Sequence, residues 1–362
     1  MTDHLQAVHT TAEQVRGILP PRPADANKGT FGSVLVVAGS LNYIGAAILS
    51  TLGAMRVGVG LATLATPFEL LPMVASRLTE CTFQPLPSEM GVLVDRAVGP
   101  LFKALAEREY TALLLGNGWG HEKETLGFLR GILQDPGGAK SAAQAERGVG
   151  FTSPRRTTEP ARHEGARTVG FGMRRAAPPA PEKEAPPEKD AAHPESRILP
   201  PLVIDADGLN LLHQIEDWAG RLPENTVLTP HPGEMARLLD SDVATVQADR
   251  VGTAQRAAAA WKAIVVLKGA HTVIAAPDGR VQINPTASAA LATAGTGDVL
   301  AGAIAGLLAQ GLAPWDAAVA GTYLHGRAGE LVAEELGDAG VLAGDVADAL
   351  PYAIHDLKLR PA

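Results

Sequence analysis

Short, continuously apolar runs that stop at Gly, Asp, Pro or His recur along this chain. They read SVLVVA (33–38), LATLATP (61–67), ALLLGNG (112–118), PLVIDADG (201–208) and NTVLTPHPGE (225–234). Runs of this length that lack polar alternation fit strands covered on both faces. Between them lie helical stretches such as the small-residue GAAILSTLGAMRVG (45–58). Strands alternating with helices predict an α/β domain: a central, mostly parallel sheet with helices on both faces. One segment departs from that rhythm. In AIVVLKGAHTVIAAPDGRVQIN (263–284) two apolar runs flank Asp278-Gly279, a hairpin signal. Ligands of parallel sheets bind outside the carboxyl ends of the strands, so the polar tips of these runs are where chemistry is expected.

Composition narrows the class. With 362 residues, 46% apolar and 19% charged, the chain can bury a large core and is not disordered as a whole. A net charge of −8 gives no electrostatic purchase on phosphate backbones, so no nucleic-acid partner is expected. Cys81 stands alone, which excludes a disulfide scaffold and cysteine zinc sites. The most apolar window, VLAGAIAGLLAQGLA (299–313), is too short to span a bilayer and predicts a tightly packed buried helix. No signal peptide is visible in MTDHLQAVHTTAEQ, so a reduced, cytoplasmic setting with no membrane partner is expected. Residues 135–196 differ from the rest. They are rich in Pro, Ala, Arg, Glu and Lys, include RRAAPPAPEKEAPPEKD, and predict a low-complexity, disordered insertion in one domain spanning 1–362. Two apolar pieces within it, 148–152 and 168–172, could pair as a small hairpin.

The sharpest chemical signal is ATAGTGDVLAGAIAGLL (292–308). Gly295, Thr296 and Gly297 precede a long helix, so backbone N–H groups and the positive helix end together suit a phosphate. Asp298 stands at that same end. It could simply cap the helix, but beside a phosphate loop it is suited to take a proton from an attacking hydroxyl. In TPHPGE (229–234), two prolines stiffen the loop around His231, and Glu234 opens the next helix. This pair could contact phosphate, or Glu234 could support Mg²⁺ through water. DADGLN (205–210) could orient a ligand or cap a helix, and LKGAHT (267–272) brings Lys268 and Gly269 to a strand tip where nucleotide phosphates could approach. LGNGWG (115–120) is a Gly-rich tip open to close backbone approach. The Walker-type phosphate loop, the dinucleotide G-x-G-x-x-G and the G-x-S-x-G elbow are all missing from the sequence.

Together these segments, with PPRPADANKGTFGSVLVVAGS (20–40), YIGAAILSTLGAMRVGVGLATLATP (43–67) and INPTASAALATAGTGDVLAGAIAGLLAQG (283–311), resemble the ADP/ATP-dependent (S)-NAD(P)H-hydrate dehydratase family. The resemblance implies a ribokinase-like fold and repair of hydrated nicotinamide cofactors. (6S)-NADHX or NADPHX would be dehydrated to NADH or NADPH by phosphorylation of the ring hydroxyl and elimination of phosphate. ADP is the usual bacterial co-substrate, ATP the eukaryotic one, each with Mg²⁺. Carried over by position, Asp298 resembles the catalytic aspartate that also contacts substrate, and Ala46, Gly118 and His231 resemble further substrate contacts. Lys268, Gly269, Ala270, His271, Thr272 and Gly297 resemble nucleotide-binding positions.

The chain also departs from the family pattern. Where the family shows G-P-G-L-G, this chain has Gly116-Asn117-Gly118-Trp119-Gly120, which would loosen the turn and bring a large ring near the site. Ala294 replaces a usual glycine. Fewer than thirty residues precede KGTFG, so a fused epimerase domain is not expected, and a separate epimerase would supply the S form. The family also implies a homo-oligomer, commonly a tetramer. Two rivals share the same residues: a small-molecule kinase acting on a vitamin-precursor alcohol, and a non-catalytic nucleotide binder.

Overall fold

The computed structural model describes residues 8–134 and 199–359. The expected insertion at 135–196, and the hairpin expected within it, lie outside the described residues. The described strands, in chain order, are β1 (Val8–His9), β2 (Ser33–Val37), β3 (Leu61–Pro67), β4 (Thr82–Leu86), β5 (Ser88–Glu89), β6 (Val92–Leu93), β7 (Ala112–Leu115), β8 (Leu202–Ile204), β9 (Thr226–Leu228), β10 (Ile264–Leu267), β11 (Val273–Ala275) and β12 (Val281–Ile283). Ten of them form one sheet in the order β1-β12-β11-β10-β9-β8-β7-β2-β3-β4, and β5 and β6 pair separately. From β4 across to β10 every neighbouring pair is parallel. The antiparallel departure falls where Asp278-Gly279 predicts it: β10 pairs with β11, and β11 with β12.

Apart from the half-buried first residues of β2 and β3, the central strands from β3 across to β10 are buried, as their unbroken apolar runs require. Alternate residues face two separate cores. Val34, Val36, Leu64, Leu114, Val203 and Val266 pack with the Ile44–Arg56, Thr296–Ala309, Pro314–Leu336 and Ala343–Leu359 helices. Leu35, Val37, Leu113, Leu115, Ile204 and Leu267 pack with the Val98–Glu107, Lys123–Leu133 and Arg250–Trp261 helices on the opposite face. Helices therefore cover both faces.

The helix expected from the 299–313 window is Thr296–Ala309, and it is buried on all sides from Val299 to Ala309. Small residues let it lie directly against the Ile44–Arg56 helix. A Cβ on Gly302 would sit 2.0 Å from the Ser50 carbonyl oxygen. Among the described residues, no helix is long and apolar enough to cross a membrane.

Candidate active site

The strand order reverses between β2 and β7. From β2 the chain winds outward through β3 and β4; from β7 it winds the other way through β8, β9 and β10. Such a switch point opens a crevice beyond the carboxyl ends of the two strands. Here the loop after β2 and the loop after β7 are tied by the Gly39 N–H donating to the Asn117 carbonyl at 2.8 Å. Gly118 follows with φ +66°, and a Cβ there would lie 2.6 Å from the Ala46 Cβ. Only glycine fits, so the β7 tip closes onto the start of the Ile44–Arg56 helix. Ala46 and Gly118, both expected substrate contacts, are thus neighbours.

Beneath this crevice five chain segments meet at buried polar groups. Asp205, at the tip of β8, is 1% exposed. Its Oδ1 accepts from Lys268 Nζ at 2.5 Å and from Thr229 Oγ1 at 2.7 Å. Its Oδ2 accepts from Asn117 Nδ2 at 2.9 Å. The same Asn117 nitrogen donates to Asp298 Oδ1 at 2.7 Å. Burial works against the charge on Lys268, but the carboxylates of Asp205 and Glu234 outweigh it and hold the amine's pKa above its ordinary value. Burial, reinforced by the charge on Asp205, pushes the Asp298 carboxyl up to about 6, against the hydrogen bond from Asn117 and the charge of Lys268.

Asp298 occupies the first turn of the Thr296–Ala309 helix, entered through Gly295 at φ +92°. The Thr296 hydroxyl donates inward to the Leu291 and Thr293 carbonyls, both at 2.9 Å. The Val299 N–H reaches Gly295 O, while those of Gly297 and Asp298 have no backbone acceptor among the described residues. A position where a Gly297 Cβ would stand lies 3.5 Å from Lys268 Nζ. Two N–H groups at a positive helix end and an ammonium therefore share one spot, which suits an anion. Beside it opens a cavity of about 490 Å³ lined by Lys268, Gly269, Ala270, Thr272, Thr296 and Gly297, among others. His271, also expected at the nucleotide site, is not part of that lining; it is exposed, with its N–H given to Thr286 O at 3.1 Å. His325 does line the cavity. Burial lowers its pKa to about 4, so a neutral ring donates through Nε2 to Thr296 O at 2.9 Å.

On the other side of Lys268, His231 caps the Pro232–Leu238 helix. Its Nδ1 accepts from the N–H groups of Gly233 at 2.9 Å and Glu234 at 3.3 Å, and Glu234 Oε2 accepts the His231 N–H at 2.8 Å. This is the reciprocal capping box. Burial, with the nearby Lys268 charge, lowers the His231 pKa. Burial pushes Glu234 up to about 7, with Lys268 opposing and Asp205 adding to the rise. Among the described residues, no three His, Cys, Asp or Glu side chains come together as a metal cage. A single carboxylate reaching Mg²⁺ through water, as expected of Glu234, does not require one, because Mg²⁺ at nucleotide sites is held largely by phosphates and water.

Two expectations about the β7 loop are corrected. Trp119 does not bring its ring to the site. It is wholly buried, donates Nε1–H to Val37 O at 2.9 Å and packs edge-on against Phe128. Asn117 does not loosen the turn; it ties two carboxylates together. Asp205 and Asn117 lay inside segments singled out from the sequence, yet nothing in either segment marks them as partners. His325 and His121 carried no local signal. His121 Nε2 lies 2.8 Å from Asp207 Oδ1, whose Oδ2 accepts the Gly120 N–H at 2.9 Å. Both His121 and Asp207 line a second cavity of about 370 Å³ beside Tyr43.

Comparison with known proteins agrees with this geometry. The family model described as NAD(P)H-hydrate dehydratase matches residues 34–138 and 189–352, and its interruption falls within the stretch that composition sets apart. The bifunctional NAD(P)H-hydrate repair enzyme Nnr of Moorella thermoacetica is 36% identical over 358 residues, covering 99% of this chain and 56% of that one. The chain thus spans little more than half the length of such bifunctional relatives. The ADP-dependent (S)-NAD(P)H-hydrate dehydratase of Neisseria meningitidis is 32% identical over 343 residues, 94% of this chain and 90% of that one. Among solved structures, the ADP/ATP-dependent NAD(P)H-hydrate dehydratase from Bacillus subtilis, co-crystallised with ATP and Mg²⁺, superposes with a TM-score of 0.70 at 28% identity, covering 98% of this chain and 99% of that one. The architecture is the ribokinase-like one that the sequence resemblance implied. Fold, switch-point crevice and the Gly295–Asp298 turn thus agree with the match over both segments, and the chain belongs to the NAD(P)H-hydrate dehydratase family.

Proposed function

We propose that this protein dehydrates (6S)-hydrated NADH or NADPH at the expense of ADP or ATP, restoring the reduced cofactor. The observation that carries the reading is the placement of Asp298. Its carboxyl stands at an open helix N-terminus, beside Lys268 and the edge of the larger cavity, and is bonded to the residue before Gly118. The nucleotide occupies the cavity lined by Lys268, Gly269, Ala270, Thr272 and Gly297. Its terminal phosphate faces Lys268 and the free N–H groups of Gly297 and Asp298. The hydrated nicotinamide lies over Ala46 and Gly118, with His231 at its flank.

In this reading Asp298 accepts the proton of the ring hydroxyl as that oxygen attacks the terminal phosphorus, whose bond to the bridging oxygen breaks and releases AMP from ADP, or ADP from ATP. The N–H groups and the ammonium stabilise charge on the transferring group. The ring nitrogen's lone pair then expels phosphate from the adjacent carbon, and loss of a neighbouring ring proton restores the dihydronicotinamide. Mg²⁺, carried in with the nucleotide phosphates, would shield their charge, with Glu234 able to reach its water shell. Residues 8–134 and 199–359 supply all of these groups and act as one catalytic unit. A homotetramer, a cytoplasmic setting and a separate epimerase supplying the S form complete the proposal.

Purified hydrated cofactor, incubated with enzyme, Mg²⁺ and each nucleotide in turn, tests it. Return of reduced-nicotinamide absorbance with release of one phosphate per turnover is expected. Accumulation of a stable phosphorylated alcohol without that absorbance would make the protein a kinase. Deleting 140–196 should leave turnover intact, and a loss would extend the catalytic unit into that segment.

A further inference from the structure

Asn117 is fully buried, and its side-chain amide is committed in an unusual way. One nitrogen donates to two carboxylates on different elements: Asp205 Oδ2 at the tip of β8 and Asp298 Oδ1 on the helix that the phosphate loop leads into. Its oxygen, Oδ1, is buried with no hydrogen-bond partner among the described residues. A buried acceptor left empty is unfavourable. Turning the amide over would place that oxygen against both carboxylates, so the orientation is set by the carboxylates and held at the expense of the oxygen.

The consequences fall on Asp298. Asp205 cannot move, because Lys268 and Thr229 hold its other oxygen. Asn117 is therefore a strut between a fixed carboxylate and a second one that must react. Among the described residues, Asn117 is the hydrogen-bond partner that Asp298 has; Oδ2 is left unengaged. The surroundings of Asp298 are otherwise contested. Asp205 and Asp207 repel a charge there, and Lys268 attracts it. A donor aimed at one oxygen favours the ionised form and fixes the plane of the carboxyl group.

We propose that Asn117 is a positioning residue for Asp298: anchored on Asp205, its amide holds Oδ1 and presents Oδ2 as the atom that takes the proton of the substrate hydroxyl. The role deepens the dehydratase reading and rests on it, but the strut itself can be examined without turnover.

Asn117→Ala and Asn117→Asp separate a donor from a mere shape. Asp keeps the size of Asn and replaces the donating amide by a third acceptor. If Asn117 only shapes the turn, Asn117→Asp keeps wild-type kcat. If its N–H groups matter, kcat falls about tenfold or more in both variants, KM for nucleotide and hydrated cofactor changes less than about threefold, and the acid limb of kcat against pH moves to higher pH. Carboxyl titration by ¹³C NMR, with the Asp298 signal assigned through Asp298→Asn, supplies the second readout. The Asp298 midpoint should rise in Asn117→Ala. An unchanged midpoint, or wild-type kcat in Asn117→Asp, overturns the proposal. If the wild-type chain restores no reduced cofactor at all, the dehydratase reading fails while the NMR midpoint still decides the strut.

Discussion

Lys268 and Asp205 meet at 2.5 Å across the tips of β10 and β8, and Asp205 has almost no contact with water. The pair sits under the spot where a nucleotide phosphate is proposed to bind, so the ammonium serves two anions. Removing it leaves a buried carboxylate without its counter-charge, a change that destabilises proteins by about 3–5 kcal/mol. Lys268→Met should therefore lower the thermal midpoint by several degrees as well as weaken nucleotide binding. Adding Asp205→Asn should recover much of the stability and none of the affinity. Differential scanning calorimetry and nucleotide titration read the two effects separately.

Asp298→Asn should reduce turnover by orders of magnitude. It should not reduce stability, because the wild-type carboxyl is pushed up to about 6 by burial and by Asp205. An acid whose pKa is raised on folding binds more protons folded than unfolded between the two values, so it lowers stability as pH rises through that window. Above pH 6 the Asn variant should accordingly melt at the same temperature as wild type or higher. In the wild type, kcat should rise with pH through about 6, where the base becomes ionised. A melting point several degrees lower in the variant at pH 8 would show that the carboxylate is structural.

The contact between the Ile44–Arg56 and Thr296–Ala309 helices depends on the absence of side chains. A methyl on Gly302 would collide with the Ser50 backbone oxygen rather than with a flexible side chain. Gly302→Ala should cost about 1–3 kcal/mol or more, seen as a lower denaturant midpoint. Because the displaced helix carries Asp298 in its first turn, kcat should fall as well. A variant of wild-type stability would mean that the helices have room to part.

His325 contributes stability with the opposite sign of pH dependence from Asp298. Its folded pKa, lowered to about 4 by burial, lies below the ordinary value of 6.5. The unfolded chain therefore binds more protons between those values, and the contribution of His325 grows as pH rises from 4 to 6.5. The stability difference between wild type and His325→Gln should widen over that interval and be flat above it, as measured by urea unfolding. Loss of the Nε2–H bond to Thr296 O should also weaken nucleotide binding, since the ring lines the cavity. Equal stability slopes in the two proteins would argue against a neutral buried ring.

Local chemistry was enough to read the strands, the hairpin at Asp278-Gly279 and the buried helix after Gly297, because each depends on the burial or turn preference of consecutive residues. The Gly295–Asp298 turn was legible for the same reason: its glycines, its helix start and its carboxylate are adjacent in the chain. The strut was not. Asn117 and Asp205 are 88 positions apart, and Asn117 and Asp298 are 181 apart. Only the order of strands in the sheet sets them side by side. The same limit applies to Trp119. Its neighbours in sequence are glycines at a strand tip, which suggest an open site, yet the loop after β7 turns its ring inward, where Nε1–H donates to Val37 O and the ring meets Phe128 in the core. Side-chain periodicity says which residues are buried, and winding order decides which of them meet. Periodicity is set by local backbone geometry, and winding order by how the whole chain packs.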